Sequence, residues 1–140
     1  MGSVLWANTL HEGVCTCDQN DLPSLLANQK KIDKIMMAVG AMSLSDMCDM
    51  TDLQVNADVI EMPDHMDSTD ELMIEQGVWV DLKIARDSLV KLRDHLEEQK
   101  PRIGLIRDAR EDILEELELT LRFIAKQDAV GTRFNFAYVT

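Results

Sequence analysis

Two segments in the second half of the chain carry apolar residues at alternating spacings of three and four, the period of an amphipathic helix. The first covers about 81–99, with Asp81 as a candidate N-cap. It ends at Lys100-Pro101 because proline disfavours a helical conformation in the residue before it. The second covers about 103–128, and the short break between the segments predicts a long antiparallel helix hairpin. The two apolar stripes comprise Leu82, Ala85, Leu89, Leu92 and Leu96, and Ile106, Ala109, Ile113, Leu117, Leu121 and Ile124.

The two ends of the chain have the composition or the alternation of β-strands. Residues 3–10 are rich in strand-forming residues, and in residues 133–138 aromatic side chains alternate with polar or small ones. A strand that is apolar on one face requires a partner strand and a covering layer of helices. We therefore predict a mostly helical α+β fold, a single domain over residues 1–140, with a small sheet that includes the N- and C-terminal strands. Residues 78–80 are a candidate for a further strand.

Local signals divide the first half of the chain into shorter elements. A helix is predicted from Asp21, a candidate N-cap, to about residue 39, where a glycine follows. Residues 43–50 predict one or two helical turns, and residues 51–67 predict mostly loop. Ser68 and Glu71 form a capping box that starts a short helix ending near residue 76.

The distribution of charge is the most unusual feature of the sequence. The formal net charge is −12, and the 48 residues 35–82 contain eleven acids but no lysine or arginine. The same stretch contains eight of the nine methionines. Acidic side chains steer a basic partner toward a surface, and methionines adapt to irregular apolar surfaces. The alternative is a solvated acidic loop over a methionine-rich part of the core. The predicted partner-binding residues are Asp46, Asp49, Asp52, Asp58, Glu61, Asp64, Asp67, Asp70, Glu71 and Glu75.

Composition and charge argue against several classes of protein. Nucleic-acid binding requires clustered lysines and arginines that neutralise phosphates, so a net charge of −12 disfavours it. No apolar run approaches the roughly 18 residues of a membrane-spanning helix, and the chain does not begin with a secretion signal. Three cysteines without such a signal favour a reducing compartment. We expect a cytoplasmic protein that binds neither nucleic acid nor membranes.

The stretch HEGVCTCDQ, residues 11–19, places two cysteines two residues apart with a histidine nearby. Cys15 and Cys17 would point to the same side of an extended chain, and His11 and Cys48 would complete a zinc site of three cysteines and one histidine. The paired ligand spacings usual in structural zinc sites are absent, however. A reactive thiol beside His11 is a further hypothesis. The simplest interpretation is two small side chains at a strand end or turn, with no metal and no cofactor.

No catalytic motif points to an enzyme. The chain has no G-x-S-x-G, H-E-x-x-H, P-loop or G-x-G-x-x-G motif. Its general character is similar to that of the bacterial immunity proteins that neutralise toxins, although no motif identifies a family. We therefore predict a small acidic interaction protein, a binder or inhibitor of a basic partner protein, that is itself a monomer or homodimer. The alternatives are a thiol- or metal-dependent protein and a structural homo-oligomer built on the two leucine-rich helices.

Overall fold

A computed structural model describes residues 2–140 and confirms an α+β fold with a five-stranded sheet. The strands are β1 (Val4–His11), β2 (Val14–Asp18), β3 (Cys48–Asp49), β4 (Val80–Asp81) and β5 (Arg133–Val139). The helices are α1 (Pro23–Ala27), α2 (Gln29–Ala38), α3 (Thr51–Asn56), α4 (Thr69–Gln76), α5 (Leu82–Gln99) and α6 (Arg110–Lys126), and a 3-10 turn (Ser45–Met47) precedes β3. No helix among these residues combines the length and the apolar composition that crossing a membrane would require.

The last strand, β5, lies in the middle of the sheet. On one edge it pairs antiparallel with β1 along its full length, and β2 extends the sheet beyond β1. On the other edge β3 pairs parallel with β5 at Phe136 and Ala137, and β4 pairs antiparallel with it at Phe134 and Arg133. The N- and C-terminal strands therefore share one sheet, as predicted. The further strand expected at residues 78–80 is displaced to Val80–Asp81.

The first hairpin of the sheet corrects one expectation about the cysteines. Glu12 and Gly13 both have positive φ, 49° and 78°, and they form the two-residue turn between β1 and β2. Left-handed geometry at both turn residues matches the right-handed twist of the adjoining strands. Cys15 and Cys17 therefore lie within a paired strand, where the sequence suggested a strand end or turn.

The helices α5 and α6 form the predicted antiparallel hairpin and cover one face of the sheet. Arg86, near the start of α5, forms a salt bridge of 3.4 Å with Asp128, just after α6, so the two helices have opposite directions. Both apolar stripes pack with Phe134 and Phe136 of β5 in a single hydrophobic cluster. Full burial of each leucine contributes roughly 1.5–3 kcal/mol, so these stripes stabilise the fold more than any polar contact does. At the start of α5, the Asp81 carboxylate accepts hydrogen bonds from two backbone N–H groups, as predicted.

Helix α6 begins at Arg110, not near residue 103, because the chain folds into a compact loop first. Gly104 has φ of +106°, a conformation that is incompatible with a helix and that L side chains rarely adopt. The Asp108 carboxylate then accepts hydrogen bonds from the N–H groups of Ile103 (3.0 Å) and Arg110 (3.1 Å), which fixes the loop. These two donors lower the pKa of the Asp108 carboxyl below its usual value. Ile106, assigned to the buried stripe, is instead 98% exposed in this loop.

The shorter helices differ from the prediction in three ways. The predicted helix from residue 21 is interrupted at Asn28, which separates α1 from α2. Asp21 does not cap it, since its carboxylate accepts the indole N–H of Trp6 at 2.7 Å. Residues 51–67 contain helix α3, although their sequence has no clear helical period. Ser68 is confirmed as the N-cap of α4, because its hydroxyl accepts the N–H of Glu71.

The N-terminus of α1 is capped by a carboxylate from another helix. Glu116 lies on α6, is 7% exposed, and accepts hydrogen bonds from the N–H groups of Ser24 and Leu25, both at 2.9 Å. Hydrogen bonds to a charged acceptor are about twice as strong as neutral ones, and the position at a helix N-terminus is favourable for an anion. This contact fixes α1 against α6 and closes that side of the core.

We predict that Glu116→Ala lowers the free energy of unfolding by about 2–3 kcal/mol, because it leaves two N–H groups without acceptors in a buried position. Urea denaturation followed by circular dichroism measures this change. Glu115→Ala, an exposed acid one position earlier on the same helix, is the matched control and should change the stability by less than about 0.5 kcal/mol. Equal effects of the two substitutions would contradict the capping role.

Candidate functional site

The acidic segment, residues 46–75, covers the face of the sheet opposite the α5–α6 hairpin. The sequence predicted one buried face of β5, yet Asn135 and Ala137 on the other face are 0% and 3% exposed. Asn135 is satisfied on both sides, because its Oδ1 accepts from Asn8 Nδ2 at 3.1 Å and its Nδ2 donates to the carbonyl of Val78 at 2.9 Å. The amide pair explains how polar side chains are tolerated at the centre of a sheet. It also ties the chain following α4 to β5.

Asp49 anchors both ends of the segment and is not a surface residue. It is 2% exposed, and its carboxylate accepts hydrogen bonds from the N–H and hydroxyl of Thr51 and from the N–H of Val78, at 2.9–3.0 Å. Gly77 passes so close that a Cβ atom there would lie 2.7 Å from Asp49 Oδ1. Asp49 is therefore buried and holds the ends of the segment, although the sequence analysis assigned it to partner binding.

We predict that Asp49→Asn lowers the free energy of unfolding by about 1–3 kcal/mol. The substitution replaces one carboxylate oxygen with an NH2 group, and this donor would face the N–H and O–H donors that surround Asp49. Thermal unfolding of the variant measures this loss. Asp46→Asn, an exposed aspartate on the preceding 3-10 turn, is the control and should leave the melting temperature almost unchanged. A variant of Asp49 as stable as this control would contradict the anchoring role.

Asp52 is half-buried and joins three parts of the chain. It accepts hydrogen bonds from Thr69 Oγ1 on α4 (2.6 Å), from Asn56 on its own helix (3.0 Å) and from the backbone N–H of Thr140 (2.9 Å). These contacts hold α3, α4 and the end of β5 together. Its carboxylate is thus largely engaged within the protein.

The other eight predicted acids form an exposed acidic surface without neutralising partners. Among residues 2–140 every salt bridge between a carboxylate and a lysine or arginine lies between residues 86 and 128. None of these salt bridges involves an acid of the segment 46–75. The members of the acidic surface are Asp46, Asp58, Glu61, Asp64, Asp67, Asp70, Glu71 and Glu75.

The eight methionines of residues 35–82 fall into three groups by exposure, and three of them, Met42, Met62 and Met66, are half-buried. Met36, Met47 and Met73 are at most 4% exposed and belong to the core. Met37 and Met50 are 70% and 38% exposed, and Met50 directly precedes α3 in the acidic segment. The expected adaptable methionine surface is consequently much smaller than the count in the sequence suggested.

A cleft of about 240 Å³ separates the start of α4 from the sheet. Its lining combines an aromatic ring, two carboxylates, two amides and an apolar floor. The sequence pointed to the two carboxylates as partner-binding residues and to Cys17, which also lines the cleft, only as an alternative metal ligand. Trp6 and Asn8 come to the cleft through the register of the sheet: Asn8 lies opposite Asn135, and Trp6 lies opposite Ala137. The residues that define its chemistry are Trp6, Asn8, Gln19, Asp52, Asp70 and Met73.

The sheet separates the four residues of the hypothetical zinc site. Cys15 and Cys17 lie opposite Leu10 and Asn8 in the β1–β2 pair, so both point to the face covered by the acidic segment. Cys48 pairs with Phe136 and belongs to the core on the other face. His11 follows Leu10 and points away from the two cysteines, with its Nδ1 3.1 Å from Thr132 Oγ1. Within residues 2–140 no group of three or more metal-binding side chains is arranged to hold an ion.

The three thiols are held in their protonated form at neutral pH. Burial raises the pKa of Cys15 to about 11, and the negative charge of Asp70 adds to the effect. Burial raises the pKa of Cys17 and of Cys48 to about 12, again with nearby acids contributing. Because the thiolate is the reactive form, this environment suppresses nucleophilic chemistry.

The variant Cys17→Ser/Cys48→Ala leaves Cys15 as the only cysteine. We predict that this thiol reacts with iodoacetamide at pH 8 on the order of 100-fold more slowly in the folded protein than in the unfolded protein. A pKa near 11 leaves about 100-fold less thiolate at this pH than one near 9. The rate in the folded protein should rise as pH approaches 11. Mass spectrometry of timed samples gives the rates in the folded and the unfolded protein. Equal rates at pH 8 would contradict the prediction and support the reactive-thiol hypothesis.

Comparison with known proteins gives no relative. The chain matches no protein-family model, and no curated protein or solved structure is significantly similar to it.

Proposed function

We propose that this protein is a non-catalytic acidic binding protein whose acidic surface engages a basic surface of a partner protein. The observation that supports this most directly is the set of eight exposed carboxylates without a lysine or arginine partner among residues 2–140. Uncompensated like charges on one surface repel each other, and this cost is relieved when a complementary surface docks. The same field accelerates the encounter with a basic partner.

Apolar side chains between the acids give the surface a means of tight contact. Val59 is 68% exposed, Ile60 36% and Met50 38%, all within the acidic segment. Charges at an interface contribute mainly to steering and specificity, whereas desolvated apolar groups contribute more of the affinity. The surface therefore combines the two requirements of a protein-binding site.

The two other hypotheses have less support. A homo-oligomer built on the leucine-rich helices would need a free apolar stripe, but both stripes, apart from Ile106, pack within the protein's own core. A thiol-dependent function would need an activated cysteine, but burial and nearby acids raise the pKa of all three thiols. The carboxylates of the acidic surface, in contrast, form no salt bridge with a lysine or arginine among residues 2–140.

We predict that Glu61→Gln/Asp64→Asn/Asp67→Asn abolishes the capture of a specific partner from a lysate of the organism that encodes the protein. The three residues are exposed, so the variant should keep its fold while losing local charge. Wild-type protein should retain the partner at about 0.1 M salt and release it at about 1 M, where the Debye length falls from roughly 10 to 3 Å.

The control removes the same number of charges elsewhere. Glu97→Gln/Glu98→Gln/Glu115→Gln neutralises three exposed acids on α5 and α6 and should retain the partner. Equal retention by both triple variants would refute a role for the acidic surface. So would a partner whose binding does not depend on salt.

A further inference from the structure

The cleft beside α4 differs from the rest of the acidic surface because it is concave and chemically mixed. Trp6 lines it, and the indole N–H bond to Asp21 at 2.7 Å holds this ring in place. Asp70 supplies an exposed carboxylate, and Asp52 supplies a second negative charge close by. Its volume of about 240 Å³ is below the roughly 300–1,000 Å³ of typical small-molecule sites. The cleft therefore has room for one side chain of a partner.

One side-chain oxygen among the residues that line the cleft has no hydrogen-bond donor within the protein. Asn8 is only 3% exposed, and its Nδ2 donates to Asn135. Among residues 2–140 no donor forms a hydrogen bond with Asn8 Oδ1, and this oxygen is not closed off from solvent. Asn8 lines the cleft, so a donor placed there would satisfy this oxygen.

We propose that the cleft binds the guanidinium group of an arginine side chain from the basic partner. This inference rests on the proposed function and names the chemical group that the acidic surface would recognise. Guanidinium has five N–H donors and no acceptor, and its plane stacks on aromatic rings. The cleft offers the matching acceptors, namely Asp70, Asn8 Oδ1 and the side-chain oxygen of Gln19, beside the Trp6 ring. Lysine has three donors and no plane, so it matches fewer of these groups.

The N-terminus of α4 also faces the cleft and would by itself favour an anion. A helix N-terminus carries the equivalent of roughly +0.5 charge. Asp70 and Glu71 lie in its first turn, and the Ser68 hydroxyl already accepts the N–H of Glu71. Two full negative charges exceed the half charge of the helix terminus, so the site favours a cation.

The test is a titration of the folded protein with the peptide acetyl-Gly-Arg-Gly-amide, followed by the NMR signals of the Trp6 indole and the Asn8 side-chain amide. We expect saturable millimolar binding that shifts both signals. The lysine peptide should bind roughly fivefold more weakly, and the citrulline peptide, which has the same shape without the charge, should not bind. Asp70→Asn should weaken binding roughly fivefold to tenfold, whereas the control Asp64→Asn, exposed and outside the cleft, should leave it unchanged.

Several outcomes would overturn the inference. These are no saturable shift with the arginine peptide, equal binding of the citrulline peptide, and equal effects of Asp70→Asn and Asp64→Asn. Trp6→Phe, which keeps an aromatic ring, should retain binding better than Trp6→Leu, and circular dichroism verifies the fold of both. If the cleft fails while partner capture still depends on residues 61–67, the proposed function stands without the arginine pocket. If the cleft binds but the triple variant still captures the partner, the acidic-surface proposal fails instead.

Discussion

The two-sided burial of β5 is the constraint on which the other features depend. Backbone N–H and C=O groups on both edges of a buried central strand need partners. One edge is supplied by β1, while the other is shared by two short strands, β3 and β4. Because β3 ends at Asp49 and β4 begins at Val80, the intervening chain is a long excursion fixed at both ends to the same strand. Most of the acidic segment lies in this excursion.

This attachment explains how so acidic a stretch keeps a defined shape. Its structure depends on neutral or internally satisfied groups: the amide pair of Asn8 and Asn135, and the carboxylate of Asp49 surrounded by donors. Asp52 adds contacts between α3, α4 and the end of β5. The eight exposed acids form no salt bridge with a lysine or arginine, and their charge determines the electrostatic potential outside this surface. In the function we propose, structure and recognition belong to different residues of the same acidic segment, and the cleft lies where the two groups meet.

The elements with strong local signals were the ones that sequence could predict. The bounds of α5 follow from its stripe, from the Asp81 cap and from the proline after Lys100, and the capping box fixed the start of α4. The same periodicity misplaced the start of α6, because Ile106 continues the spacing while Gly104 breaks the helix. The cleft could not be predicted, since Trp6, Asn8 and Asp70 meet only through strand register and the packing of α4. Likewise, only the two faces of the sheet reveal that Cys48 and His11 point away from Cys15 and Cys17.

The order of the strands also has a consequence for synthesis on the ribosome. The central strand is the last one in the chain, so β1, β3 and β4 have no common partner until residues 133–139 have been translated. Contacts between the first and last strands span nearly the whole sequence, and such long-range contacts slow folding. Until then, Leu5, Ala7 and the stripe of α5 lack the β5 aromatics that cover them in the finished fold. The nascent chain thus passes through a stage in which its apolar surfaces resemble those that chaperones bind.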